Sequence, residues 1–542
     1  MEKFIKSNYF PLSLLALIFV ICIPFFWLHQ GLLTIDTGRE LYIPSRMLSG
    51  ELLYRDILNI YGAFGYQINA LLFKIFGERL ETLYSFGLLN SFIIIISVFF
   101  ISREFFGKTI SFLLGLLTMA VPVFTPYLFN TNLPYSYCFV CALSSFLLSL
   151  LFLVKYEKTK NLNFSLLSSF FAGISIASKL DFSLFIFVLA FVLIKNKLTI
   201  KQFALNLLCF SAVPVVSYGI LLIQGVKISD FISTLALIKS LSASESFIIF
   251  YQNGLTLKSL VVRFFSALVL GVVYLLLKFR NKINPKKILL NYPVDAVFVF
   301  VVSVIFLIFW KFIFAVLPLL VLILTFVYLK KTDFAKLILL FALILGCFKS
   351  MFYLDIEHFG AFLLPLLVLG LGVFCINQKR EIIIILCALI FVFAFDDCYW
   401  RNEKVFRLET QKGVFYTFKK EGLPIKRLID FGKENLSGND KILILPEGAF
   451  VNFALSQPSN SKLYSLIPLY VSMLREENII AELRKDMPEY IVISTLDTSE
   501  FGARAFGADY AQEVFRFIEE NYDFIKSIDE TSYKMNIYER KE

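Results

Sequence analysis

The chain has 542 residues, 58% of them hydrophobic and 17% charged, and its mean hydropathy is +0.75. Soluble domains are roughly 45–50% apolar and about 25% charged, so a soluble enzyme is excluded. The formal charge is +10, and in so apolar a chain that excess reads as a topology signal, with no nucleic-acid partner implied.

In chain order, the apolar runs that meet or approach the about 20 residues needed to cross a bilayer are 10–30, 84–102, 109–127, 136–154, 164–180, 182–194, 202–223, 259–277, 294–310, 312–329, 334–353, 359–376 and 382–397. They predict a polytopic α-helical membrane protein with about 13 spans. The first run lacks a small-residue cleavage site after it and reads as a retained helix. The run 182–194 is short, and 60–77 is amphipathic. The 63 Phe residues read as apolar filler for lipid-facing helices. Cys138 and Cys141 form a C-x-x-C inside an apolar run, which fits helix packing better than redox or metal chemistry.

The connecting loops alternate in charge. Basic ones carry Arg103 and Lys108; Lys155, Lys158 and Lys160; Lys195, Lys197 and Lys201; Lys278 to Lys287; Lys330, Lys331 and Lys336; and Lys379 with Arg380. By the positive-inside rule these face the cytoplasm. The N-terminus is then cytoplasmic and the end of the chain external. Residues 1–397 carry 32 basic and 19 acidic side chains, whereas 398–542 carry 20 and 23. That shift predicts a transmembrane domain over 1–397, with a long first external loop at 31–83, and an external α/β domain over 398–542. A second long external loop covers 224–258. In the tail, 441–445 and 490–494 read as buried strands, 476–485 and 508–521 as amphipathic helices, and 533–538 as a last strand, an arrangement that suggests βαβ units. Glycine-rich phosphate loops are missing from the whole chain, which argues against a nucleotide-powered pump.

Polar residues concentrate just after the first helix: Asp36, Arg39, Arg46, Arg55, Asp56 and Tyr61. A carboxylate close to the membrane surface can take a proton from a hydroxyl or ligate a hard cation; Asp36 also fits a helix cap. The three arginines offer forks that match phosphate oxygens. Lys179, beside Asp181, lies between two apolar runs on the external side, where an ionisable group is expensive and points to function, a mutual pair or snorkelling. Lys311 is expected in a tight turn between two spans, as an interfacial anchor beside Trp310. Lys349, Asp355, Glu357 and His358 form the last polar cluster on this face. With two His in the chain, a zinc site is not expected.

The run Asp36-x-Gly38, Leu48-x-Gly50, Tyr54-x-Asp56 and Tyr61-Gly62, with an apolar stretch ending at Phe76-Gly77, resembles the first external loop of GT-C superfamily glycosyltransferases. It is most similar to the bacterial branch of protein O-mannosyltransferases and the aminoarabinose transferase of lipid A. Gly173 to Lys179 resembles the family's helix ending in a basic residue at the external surface, and His358 with Leu364-Pro365 resembles a late His…Leu-Pro pattern. The resemblance implies a multi-pass protein of the bacterial inner (plasma) membrane. It implies transfer of a sugar from a polyprenyl-phosphate donor to a lipid, glycan or protein acceptor on the external face, by one inverting displacement. Asp36 would then be the catalytic base, and Arg39, Arg46, Arg55, Lys179, Lys349 and His358 would attend the donor phosphate. Asp56, Tyr61, Asp355 and Glu357 are further polar residues of that face. Many relatives have an acidic pair where this chain has Asp36 and Thr37. A divalent cation is left open, although the short loop 128–135 holds no acidic residue. The tail carries no acid–base cluster that stands out from solvated surface. A transporter or flippase for lipid-linked sugars, or a polysaccharide polymerase or ligase, has the same gross plan. A transporter would show internal repeats and broken midplane helices; a polymerase or ligase would carry its cationic cluster in a large late loop.

Overall fold

The computed structural model describes residues 9–126, 130–252, 256–283, 292–328, 333–346, 369, 379–438, 440–459 and 462–542. Five helices among them are long and apolar enough to cross a bilayer: Leu80–Phe105, Tyr137–Thr159, Ile200–Ile223, Leu257–Phe279 and Ile383–Glu403. Shorter apolar helices include Phe10–Phe26, Leu162–Ser178 and Phe185–Lys195. The amphipathic stretch at 60–77 is the helix Ala63–Phe76.

Helix Ile200–Ile223 carries the membrane signature. Leu207, Leu208, Val215 and Val216 are exposed, whereas Asn206 and Ser217 are buried. Asn206 accepts from the Ser169 hydroxyl at 2.8 Å, and the Ser217 hydroxyl donates to Gln67 at 2.6 Å. Water would favour the opposite sorting; lipid favours apolar side chains outward and polar ones as interhelical bonds.

One predicted feature is corrected. The two spans at 294–310 and 312–329 are a single helix, Tyr292–Tyr328. No Gly or Pro stands between residues 294 and 317, so nothing in the backbone chemistry interrupts the i→i−4 ladder at Lys311. Both ends of this helix adjoin basic segments, and here the alternating-loop rule does not hold. Apart from residue 369, the span predicted at 359–376 lies outside the described residues.

The C-terminal part begins where helix Lys379–Glu403 ends. A hairpin follows, β1 (Phe406–Thr410) with β2 (Gly413–Thr417), and then a four-stranded sheet in the order β3-β4-β6-β5. In it β3 (Ile442–Leu445) and β4 (Tyr490–Ser494) are parallel, and β6 (Met535–Arg540) pairs antiparallel with β4 and with β5 (Tyr522–Ile528). The crossover from β3 to β4 includes helix Glu476–Lys485, in the predicted place. The hairpin and β5 escaped the sequence reading. β5 is exposed over Asp523–Ser527 and so lacks an alternating apolar pattern.

This domain is clasped to the first long loop. Tyr464 donates its hydroxyl to the Leu58 carbonyl at 2.7 Å, and the Tyr42 hydroxyl accepts from the Ser459 backbone N–H at 2.6 Å. Helix Thr37–Leu48 lies so close to helix Ala449–Leu455 that a Cβ on Gly38 would overlap the backbone of Phe450. Gly38→Ala is therefore expected to destabilise the protein by about 1–3 kcal/mol, the usual cost of overpacking, read as a lower midpoint of thermal unfolding in detergent.

A second clasp is Lys404. It is 1% exposed, and its Nζ donates to the carbonyls of Gly31 and Pro126, each at 2.6 Å. Burial pushes its pKa down to about 7. Between that value and the unfolded value of about 10.4, the unfolded chain binds more protons, so stability rises with pH across this window. Lys404→Met is expected to flatten that slope in stability-against-pH measurements.

Candidate active site

The first loop, the loop after Ile223 and the C-terminal domain enclose one cavity. Ile35, Asp36, Arg39 and Tyr61 line it from the first loop, with Tyr135 beside them. Leu241, Phe250 and Tyr251 line it from the bent helix pair Ile228–Ser242 and Glu245–Tyr251. The C-terminal domain adds Glu447, Tyr470, Asp497, Glu500 and Phe501 among others. The resulting wall is aromatic and acidic.

Asp36 stands at the N-cap of helix Thr37–Leu48 but makes no side-chain cap bond. It turns to an ion pair with Arg39 one turn along the helix. Arg39 is 3% exposed, donates to the Tyr135 carbonyl at 2.7 Å and lies over the Tyr61 ring at 5.6 Å. Next along the helix, Glu40 is fully buried and accepts from the Tyr66 hydroxyl at 2.5 Å and the Tyr137 N–H at 2.7 Å. Burial raises its pKa to about 7 against the lowering effects of Arg39 and these donors. Thr37 occupies the place of a second acid, and its hydroxyl accepts from the Leu32 N–H at 3.1 Å.

Lys179 is the C-cap of helix Leu162–Ser178 and is 7% exposed. Its ammonium donates to the Tyr135 hydroxyl and stands 4.4, 4.7 and 5.0 Å from the ring centres of Tyr61, Tyr135 and Phe139. Asp181 is 3.8 Å away. Gly62 makes this approach, because its N–H donates to the Ser178 carbonyl at 3.0 Å and a Cβ there would overlap the same backbone. Lys179 therefore sits directly behind two tyrosines of the cavity wall.

The other arginines predicted to reach phosphate lie away from this cavity. Arg46 is buried against Glu51, with its guanidinium over the Tyr42 ring. Arg55 is exposed and grips Asp56 with two bonds of 2.9 and 2.7 Å, while Asp56 accepts from the Leu52 N–H at 2.9 Å. Each has a local carboxylate within a few residues, and neither lines the cavity. Lys349, Asp355, Glu357 and His358 lie outside the described residues. Among the described residues no group of three His, Cys, Asp or Glu side chains is placed to hold a metal ion.

The tail brings Glu447 to this cavity, a carboxyl that does not stand out from solvated surface in the sequence. It directly follows Pro446 at the end of β3, is 3% exposed, and its Oε1 has no hydrogen-bond partner. Burial first, and then the Asp36 carboxylate, raise its pKa to about 8. Asp497 and Glu500 likewise follow the end of the parallel neighbour β4. Ligands in open α/β sheets bind beyond the carboxyl ends of parallel strands, and that rule, applied to residues 441–447 and 490–500, is the signal that would have found these three.

Residues 64–220 match the family model described as dolichyl-phosphate-mannose-protein mannosyltransferase. The match begins beyond Asp36 and ends before Glu447. None of the curated proteins matches the chain by sequence. Among solved structures, the archaeal oligosaccharyltransferase AglB from Archaeoglobus fulgidus, in complex with an inhibitory peptide and a dolichol-phosphate, is similar over 99% of this chain and 75% of its own, at 13% identity and a TM-score of 0.50. ArnT from Cupriavidus metallidurans, bound to undecaprenyl phosphate, is similar over 98% of each chain, at 10% identity and a TM-score of 0.48. Both are GT-C superfamily members, and the likeness to AglB shows that fold in this chain.

Proposed function

We propose that this chain is an integral-membrane glycosyltransferase that moves a sugar from a polyprenyl-phosphate-linked donor to an acceptor hydroxyl at the external, periplasmic face of a bacterial inner membrane. The observation that carries the reading is the position of Asp36: a carboxylate at the start of a helix, oriented by Arg39 and opening into a cavity capped by the C-terminal domain. Dolichol-phosphate in AglB motivates the donor class.

In this mechanism the acceptor oxygen attacks the anomeric carbon from the face opposite the phosphate. The new C–O bond forms as the bond to the phosphate oxygen breaks, and that electron pair leaves on polyprenyl phosphate. Asp36 takes the acceptor proton. Arg39 in the wall and Lys179 behind Tyr61 and Tyr135 supply the positive charge that a departing phosphate requires. They are fixed by burial and need little reorganisation during the step.

The test is transfer of labelled sugar by the purified protein, with a panel of undecaprenyl-phosphate-linked sugars as donors. Product formation with at least one donor is the expected result. A protein inert to every donor, yet able to move the lipid-linked sugar across vesicles, would overturn the enzyme reading in favour of a flippase.

A further inference from the structure

Four carboxyl-bearing residues line this cavity; Asp497 and Glu500 are exposed, and the other two, Asp36 and Glu447, come from opposite parts of the chain. Asp36 belongs to the first loop, and Glu447 belongs to the C-terminal domain, more than 400 residues later. Glu447 is held by local geometry. Its backbone bridges to Ser465, and its Oε1 is buried in the cavity wall without a hydrogen-bond partner. A buried polar atom without a partner costs about 1–3 kcal/mol, which is tolerable where a ligand supplies the partner.

We propose that Glu447 is an acceptor-binding residue of the transfer site: as a carboxylic acid it donates a hydrogen bond to an oxygen of a hydroxyl-bearing acceptor, while Asp36 takes the proton of the attacking hydroxyl. This rests on the glycosyl-transfer reading and deepens it. Two carboxylates in one desolvated site do not both ionise readily; one keeps its proton. Asp36 is ion-paired with the Arg39 guanidinium, whereas burial and the Asp36 carboxylate both favour the protonated form of Glu447.

The groups facing Glu447 agree with this division. Asp36 and Glu500 oppose its ionisation, and Arg39 favours it. Tyr464 and Tyr470 stand beside it, as do Tyr510 and Tyr533. Burial raises the pKa of all four tyrosines, so they remain neutral and do not titrate in the same range. Burial and the Asp36 carboxylate raise its pKa to about 8, so the protonated, donating form is favoured at neutral pH.

The experiment uses the full chain, an undecaprenyl-phosphate-linked sugar as donor, and a Ser/Thr peptide, a disaccharide and a lipid A precursor in turn as acceptors. For whichever acceptor is used, the wild-type acceptor KM is expected to rise roughly tenfold as pH passes 8, the loss of one hydrogen bond, with donor KM unchanged. Glu447→Gln, which donates at every pH, is expected to keep the low KM and abolish that rise. Glu447→Ala is expected to show the high KM throughout. In parallel, infrared difference spectra of wild type against Glu447→Gln should contain a protonated carboxyl band that disappears near pH 8. A Gln variant with the wild-type pH profile would overturn the proposal, as would a missing carboxyl band. A wild type inert to every donor would instead overturn the transfer reading, and the acceptor role with it, while the infrared band still reports whether the protonated carboxyl exists.

Discussion

Asp36→Asn is expected to lower the rate of sugar transfer by about 10²–10⁴-fold, the range of a general base, with donor binding near the wild-type level. The amide keeps the size of the side chain but cannot accept the proton of the attacking hydroxyl. It also removes one of the two negative partners of Arg39, which is buried at 3% exposure, so some loss of stability is expected alongside the kinetic loss. Single-turnover transfer from a bound labelled donor separates the two, because only the chemical step responds to the missing base. Asp36→Glu, which keeps a carboxylate and displaces it along the helix start, should retain a measurable fraction of the rate. Transfer by the Asn variant at the wild-type rate would remove Asp36 as the base.

The second large effect is expected at Lys179. Lys179→Met should lower kcat by about 10²–10³-fold, the usual loss when one preorganised charge-stabilising donor is removed from a desolvated site. The ammonium is enclosed by Tyr61, Tyr135 and Phe139 and bonded to the Tyr135 hydroxyl. Its influence reaches the cavity through those rings and that hydroxyl. Tyr135→Phe should therefore reproduce part of the loss, and the double variant should lose less than the product of the two, the mark of groups acting as one unit. Lys179→Arg should not restore the rate, since a planar guanidinium does not fit a cage shaped around an ammonium. Full additivity of the two single losses would assign Lys179 and Tyr135 to independent roles.

What the chain determines by its sequence is the part governed by local rules. Apolar run lengths mark most of the helices, because a spanning segment has to satisfy its backbone internally and bury no water. The strands at 442–445 and 490–494 and the helix at 476–485 are equally visible, since a continuous apolar run and a 3.6-residue period need no partner to be recognised. Asp36, Arg39, Tyr61 and Lys179 were legible as polar residues where polarity is costly. Arg46 and Arg55 met the same criterion and proved to be local ion pairs, because a count of charges does not say which carboxylate stands within 3 Å. Glu447 failed it, being one of 23 acidic residues in a tail of ordinary composition. Only the docking of the C-terminal domain onto helix Thr37–Leu48 decides that this carboxyl is buried and faces Asp36. Burial and proximity across 400 residues are properties of packing, and no local pattern encodes them. The continuous helix at 292–328 is the same lesson in reverse: a charge inside an apolar run suggests a turn, but the hydrogen-bond ladder breaks only where the backbone is interrupted or the tertiary context bends it.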